Sequence, residues 1–330
     1  MSVATSDGTR RLVQDLSLPE AWQVFVFEGE CFRPGLSRLA SPASGEKVGI
    51  AGPEASGLCL HVPDGVERPG PIQILEVASG ASKLRHVVRL GAGARARMLG
   101  TLGLPEGGRS DTYSTMAVEL GAGAVLDHAS LLKGNSLHVD TGLEARLQSG
   151  ARLVSRRFLL QAEVSRTHMD IDLEGPEASV ELSGLVSVNG GRIADVEASV
   201  RHVGPRTSSE QLFQALAADR SAATFVGKVV VEQGAKGTQA RQSSRNILLS
   251  RRASIDSRPQ LEIHDDDVKC SHGSTTGRLD ENAIRFLRSR GFSLEGARAL
   301  LVRAFAGEQL EKLPEGGFRS LVEGMLEFPS

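Results

Sequence analysis

Aromatic side chains are scarce: they make up 4% of the 330 residues, with one Trp and one Tyr. Sugar clefts and single-strand nucleic-acid grooves stack their ligands on rings, and this chain has few to offer. An excess of one charge is missing too. Thirty-eight Lys and Arg stand against 40 Asp and Glu, a net charge of −2. Nucleic acid and membrane surfaces call for a clustered positive field, so neither is an expected partner. No apolar run approaches the roughly 20 residues that span a bilayer. The start, MSVATSDGTRRLVQDLSLPE, has no apolar core of a secretory signal. Three cysteines, Cys31, Cys59 and Cys270, are too few and too far apart for a disulfide framework or a four-ligand zinc site. A reduced, cytoplasmic protein is expected. No G-x-S-x-G, Walker or dinucleotide-binding motif occurs.

What is abundant is glycine, 37 residues, in a patterned arrangement. LGAGARARML begins at Leu90 and LGAGAVLDHA at Leu120, and weaker echoes follow from Gln148, Glu174, Val203 and Glu232. Each is a Gly or Pro turn, then a small residue, then alternating apolar positions. The small residues Ala94, Ala124, Ala151, Ala178, Thr207 and Ala235 stand 27 to 30 apart. Between them ILEVAS, HVVRL, MAVEL, MDIDLEG, FVGKVVVE and RNILLS read as strands. A repeat made only of strands predicts a stacked parallel solenoid, whose equivalent positions fill one core. An ordinary β-sandwich also carries glycine turns, but the regular Gly-Ala corners and the lack of large rings favour the β-helix.

Ahead of the repeats, residues 1–20 read as a polar lead-in with at most one short helical turn in RRLVQDL. WQVFVFEGECF (22–32) reads as a strand ending at a Glu-Gly turn, and 33–70 as loops with short strands. After Gly277 the period changes. Asp280 is placed to N-cap a helix that Gly291 ends. Ser293 caps a second, with a stripe of Leu294, Ala297, Leu300, Leu301 and Ala304. Phe318, Leu321, Val322, Met325 and Leu326 stripe a third. The expected organisation is a lead-in over 1–71, a β-helix core over 72–277 and a C-terminal helical subdomain over 278–330.

Most histidines are scattered singly through the strand repeats, and the default for these is a structural role. His168, in RTHMDID, is the one that stacking could bring near an acid. The chemistry concentrates in LEIHDDDVKCSHGSTTG (261–277). Asp265, Asp266 and Asp267 suit a hard cation, but consecutive residues point in alternating directions, so a solvated turn is the expectation. Cys270 and His272, at i and i+2 of a strand, emerge on one face. A thiolate and an imidazole together suit iron–sulfur or zinc chemistry. Two ligands cannot hold a cluster, so either a second chain completes the site or the pair is a structural cysteine beside a surface histidine.

The run from Arg245 to Leu301 resembles the C-terminal signature of the SufB/SufD family of iron–sulfur cluster assembly scaffolds. The resemblance rests on Pro259-Gln260-Leu261-Glu262-Ile263, on Asp267-Val268-Lys269-Cys270-Ser271-His272-Gly273, and on Arg288-Ser289-Arg290-Gly291. The Cys-x-His-Gly form is closer to the SufD branch than to SufB. The resemblance implies a mainly β fold, a right-handed parallel β-helix with a C-terminal α-helical subdomain. It implies a non-enzymatic scaffold that pairs with a SufB-like subunit and binds a SufC-like ABC ATPase through the C-terminal helices. A nascent iron–sulfur cluster would form transiently at the subunit interface with His272 as an iron ligand and Cys270 beside it, and the isolated chain would hold no stable cofactor. Whether a flavin binds is left open. Alone, the chain is expected to pair as a homodimer through strand edges near Arg245–Ser250 and Gln260–Ile263. Many members carry a helical domain ahead of the core, for which the twenty-odd residues here leave no room. Two other classes compete: a carbohydrate-acting β-helix enzyme using His264 and Asp265–Asp267, and a structural solenoid polymerising end to end. Helices capping one end of the stack would oppose the latter.

Overall fold

A computed structural model describes residues 6–38, 47–52 and 55–326. In chain order the strands begin with β1 (Gln23–Glu28), β2 (Cys31–Phe32), β3 (Lys47–Gly52), β4 (Ala55–Val62), β5 (Ile72–Val77) and β6 (Gly80–Leu90). Next come β7 (Arg95–Gly103), β8 (Ser110–Leu120), β9 (Val125–Lys133), β10 (Leu137–Leu147), β11 (Arg152–Leu160) and β12 (Val164–Leu173). The last are β13 (Ser179–Val188), β14 (Ile193–His202), β15 (Ser208–Ala217), β16 (Ala222–Val231), β17 (Thr238–Leu248), β18 (Ser254–Ile263) and β19 (Val268–Gly277). One helix, α1 (Asp7–Leu16), precedes the strands, and α2 (Glu281–Ser289), α3 (Leu294–Leu310) and α4 (Gly317–Met325) follow them.

From β4 onward strands alternate between two facing sheets, one ordered β19-β17-β15-β13-β11-β9-β7-β5-β1-β2 and the other β18-β16-β14-β12-β10-β8-β6-β4-β3. Among the described strands only β2 and β3 attach antiparallel. The result is a parallel β-solenoid of about eight turns, as the repeat spacing predicts. The parallel stack includes β1 and β4, which pair with β5 and β6.

The corner residues explain the repeat. Ala94, Ala124, Ala151, Ala178, Thr207 and Ala235 are all fully buried, at 0% exposure. Each follows a residue in the left-handed region, from Gly93 (φ 68°) to Gly234 (φ 91°). Two of these are Glu177 and Arg206 rather than glycine, and a corner repeated every coil over-determines the strain they carry. Close stacking sets a second demand: a Cβ on Gly175 would stand 2.0 Å from the Ser149 backbone nitrogen. Many inward positions between the corners are aliphatic, as in the register column Leu126–Leu153–Val180.

The outer face of the β1-to-β19 sheet is apolar and covered. Residues 7–16 form a full helix rather than a single turn, capped by the Ser6 side chain, which accepts from Thr9 N at 3.1 Å. Leu12 and Leu16 are buried against Gly103 of β7, and burying such side chains favours the helix by about 2 kcal/mol each. Asp280 and Ser293 cap α2 and α3, and Gly291 has φ 94°, all as expected. The stripe on α3 is not as expected. Leu294 and Leu300 are both 40% exposed, while Ala297, Val302, Ala306, Gln309 and Leu310 are buried. The helix is apolar on more than one side, so its own period does not say which side meets the sheet. On α4 and at its C-cap, Phe318, Val322, Met325 and Leu326 are buried. Residues 327–330, at the end of the expected subdomain, lie outside the described residues.

The helices also run along the solenoid rather than across its end. Gln309 Nε2 donates to Leu212 O of β15, Phe318 packs on Phe158 of β11, and Phe318 N donates to Glu20 near β1. The end formed by β18 and β19 is therefore not capped by α3 and α4, contrary to the sequence expectation. Residues 245–247 are not at an edge either, since β17 pairs β15 on one side and β19 on the other. At this end of the stack the terminal strands are β18 and β19. Among the described residues no helix is long and apolar enough to cross a membrane.

Candidate functional site

The last coil is built like the others, but among the described residues no further coil lies above it. In β17 the inward row is Thr238, Ala240, Gln242 and Ser244, all buried. Their register partners on β19 are Val268, Cys270, His272 and Ser274. These continue the inward row yet are half-buried or exposed. On the other sheet Ile255, Ser257, Pro259, Leu261 and Ile263 pair with the inward row Ala223, Phe225, Gly227, Val229 and Val231, again without a covering layer. Leu261, Val268 and Cys270 sit at the rim of a small buried cluster of Val229, Val231, Ala235 and Ala240.

Cys270 and His272 thus share a face, as their spacing predicts, and it is the face of the core, not an outer face. Partial burial pushes the Cys270 thiol above its ordinary range, and a backbone hydrogen bond with Ala240 offsets part of that. A thiol raised in this way is a weak nucleophile and a weak ligand. The two residues are about 7 Å apart along the strand. Among the described residues no three His, Cys, Asp or Glu side chains gather as a metal-ligand set.

The aspartate run differs from the expected solvated turn at one position. Asp266 and Asp267 are exposed, but Asp265 is 6% exposed. Its carboxylate accepts from Gly234 N at 3.0 Å and Asp267 N at 3.1 Å. The Asp267 bond, then that from Gly234, holds Asp265 below the usual carboxylate range. Asp265 is the clamp that sets the start of β19 against the β16–β17 corner. Sequence reasoning missed it because alternation in an extended run does not describe a turn that folds back on the previous coil. His264 does not join the aspartates: its Nε2 lies 3.1 Å from Glu262, which also pairs with Lys228 at 2.8 Å. The acid–base constellation that the enzyme reading needs does not assemble. His168 meets Glu197 at 3.1 Å as an exposed pair.

A second surface lies on α2 and α3. Phe286 is 58% exposed, and Phe292, Leu294 and Leu300 are also exposed. Arg290 stacks on the Phe286 ring at 5.2 Å. Four large apolar side chains within fifteen residues are thus left exposed, and exposed apolar surface is a feature of binding sites.

Residues 74–305 match the family described as SUF system FeS cluster assembly, SufBD core domain. The chain is 30% identical over 265 residues to the iron-sulfur cluster assembly protein SufD of Escherichia coli (strain K12), covering 78% of this chain and 63% of that protein. It is 36% identical over 182 residues to the iron-sulfur cluster assembly SufBD family protein slr0076 of Synechocystis, covering 55% of this chain and 40% of the relative. To the chloroplastic protein ABCI7 of Arabidopsis thaliana it is 30% identical over 278 residues, 79% of this chain and 58% of that one. The chain spans less than two thirds of the length of each of these curated relatives.

Proposed function

This chain belongs to the SufBD family, and from that premise we propose that it is a non-catalytic scaffold subunit on which an iron–sulfur cluster is assembled. In this reading it pairs with a SufB-like subunit in the cytoplasm, and a SufC-like ABC ATPase docks on the C-terminal helices. The observation that carries the reading is the uncovered last coil, with Cys270 and His272 in its inward row. Terminal β strands present unpaired N–H and C=O groups and invite another chain. The half-buried Leu261, Val268 and Cys270 give such a chain an apolar core to join. The edges meant are those of β18 and β19.

Nascent cluster iron is the cargo at this joint. His272 is exposed and supplies one imidazole, a neutral ligand that holds iron less firmly than thiolate does and lets a finished cluster leave. The partner supplies cysteine thiolate. Cys270, with its raised thiol, packs the joint and supports rather than leads. In the absence of a partner the same edges pair two copies of this chain. The exposed Phe286, Phe292, Leu294 and Leu300 are the surface for the ATPase. Anaerobic co-expression with SufB-like and SufC-like chains, followed by iron and sulfide analysis of the purified complex, tests the proposal. Co-purification of all three with stoichiometric iron and sulfide is expected. A chain that purifies alone, without iron, from cells making both partners would overturn it.

A further inference from the structure

The solenoid lumen alternates aliphatic layers with polar ones, and one polar zone lies near β5 to β11. In the register column Gly100–Ser130–Arg157–Gly184 the long side chain of Arg157 stands above two small residues. Arg157 is 6% exposed. Its Nε is buried with no hydrogen-bond partner, and no carboxylate lies within ion-pair distance of the guanidinium among the described residues. Burial pushes Arg157 down to about 10, against a smaller opposing pull from Glu76, so it still carries its charge at neutral pH. A buried guanidinium without an acceptor is strongly disfavoured.

A cavity with about 60 Å³ open to water-sized particles is lined by Arg157, Ser130, Gly100, His86 and Glu76. At its far end Glu76 Oε1 accepts from Ser114 Oγ at 2.9 Å, while Oε2 is buried and unpartnered. His128 Nδ1 is engaged with Ser155 Oγ at 3.0 Å. Toward β19 the lumen is shut. Phe213 fills the space left by Gly184 and stacks on Phe225 with ring centroids 4.6 Å apart. The zone is therefore a closed-ended pocket with a cation at its inner end whose buried Nε has no acceptor among the described residues. By volume it has room for about four water-sized particles.

We propose that this pocket binds a small monovalent inorganic anion against the Arg157 guanidinium. The guanidinium supplies charge-assisted donors, and Ser130 adds a hydroxyl. The Glu76 carboxylate at the other end disfavours a second negative charge and accepts from a water that enters with the anion. Divalent oxyanions, which need more donors than one guanidinium and one hydroxyl, are excluded by the same arithmetic. The inference concerns the lumen and does not depend on what covers the last coil.

The test is a set of crystal structures of the full chain in sodium bromide, with thermal unfolding in the same salt. An anomalous bromide peak within hydrogen-bond reach of Arg157 is expected. So is a bromide-dependent rise in Tm that Arg157→Met, similar in length and uncharged, loses. Glu76→Gln removes the opposing charge and is expected to tighten bromide binding about tenfold. If Arg157→Met does not fold, the wild-type and Glu76→Gln structures still decide. Water alone beside Arg157 in both would overturn the proposal. A bromide peak unchanged in Arg157→Met would do the same, as an adventitious ion only.

Discussion

His272 stands one layer above Gln242, its register partner, in the same inward-facing row. One layer further in, Gln242 Nε2 donates to Gln211 Oε1 at 3.0 Å, and both glutamines are buried. The imidazole is therefore exposed because the stack ends at β19, not because it points outward. A partner coil that continues the stack would enclose His272 as the stack already encloses Gln242.

His272→Ala is expected to leave the chain folded and able to pair, with Tm within about 1 °C of wild type, since an exposed side chain contributes little. Iron and sulfide on the partner complex should fall at least about tenfold, as for loss of a ligand. Cys270→Ser should reduce them less. Normal iron and sulfide in the His272→Ala complex would remove this residue from the site.

The ATPase surface is tested by point changes rather than by removing the tail. Deleting 292–330 would strip Val302, Leu310, Phe318 and Val322 from the outer sheet face they cover, so loss of binding and loss of solubility would coincide. Phe292→Asp with Leu300→Asp alters two exposed positions and should leave Tm nearly unchanged. ATPase retention in a pull-down should drop by at least about tenfold, as for truncated hot spots. Undiminished retention would move the docking surface elsewhere.

Asp265→Ala should lower Tm clearly and Asp266→Ala should not, because only Asp265 accepts two backbone N–H groups. The same bonds have a pH signature. With its folded-state value held below the usual range, Asp265 contributes stability that is present above the unfolded value of about 3.9 and is lost as pH falls through the folded one. Equal Tm for the two variants at neutral pH would restore the solvated turn.

Two lumen histidines give a separate acid dependence. Burial, first, holds His128 down to about 3, with Arg157 and Arg156 adding to it, and burial holds His202 down to about 4. His202 uses both ring nitrogens, on Thr207 and Ser209 at 2.8 Å. Below about pH 6.5 the unfolded chain takes up protons that the folded chain refuses, so stability falls with acidification. The slope from about pH 6 down to about pH 5 should approach 1.4 kcal/mol per pH unit for each histidine. Denaturant titrations of His128→Gln should show about half the slope. A flat stability profile across this window would contradict the neutral, buried assignment.

Gly175→Ala should cost about 3 kcal/mol, because its Cβ would meet Ser149 backbone atoms and a stacked backbone cannot yield. Gly191→Ala, with open space around it, serves as the control. Similar unfolding midpoints for the two would mean that the coils do not stack as tightly as described.

Much of this architecture is legible in the order of residues. Corners at Ala94 to Ala235 recur because each coil needs a tight turn and room for the next coil, and both demands fall on adjacent residues. The caps Asp280 and Ser293 are local for the same reason, and the shared face of Cys270 and His272 follows from strand alternation alone. Long-range packing settles the remainder. The N-terminal helix is stable only because Leu12 and Leu16 find Gly103, nearly ninety residues away in the chain. The buried side of α3 is chosen by the sheet it meets, since the helix is apolar on more than one side. Asp265 is a clamp rather than a solvated acid because Gly234 comes round beneath it. Arg157 reads in sequence as one more charge on a strand, and only the stacking of coils turns it inward. Local periodicity encodes which residues share a face, whereas burial depends on which faces another part of the chain comes back to cover.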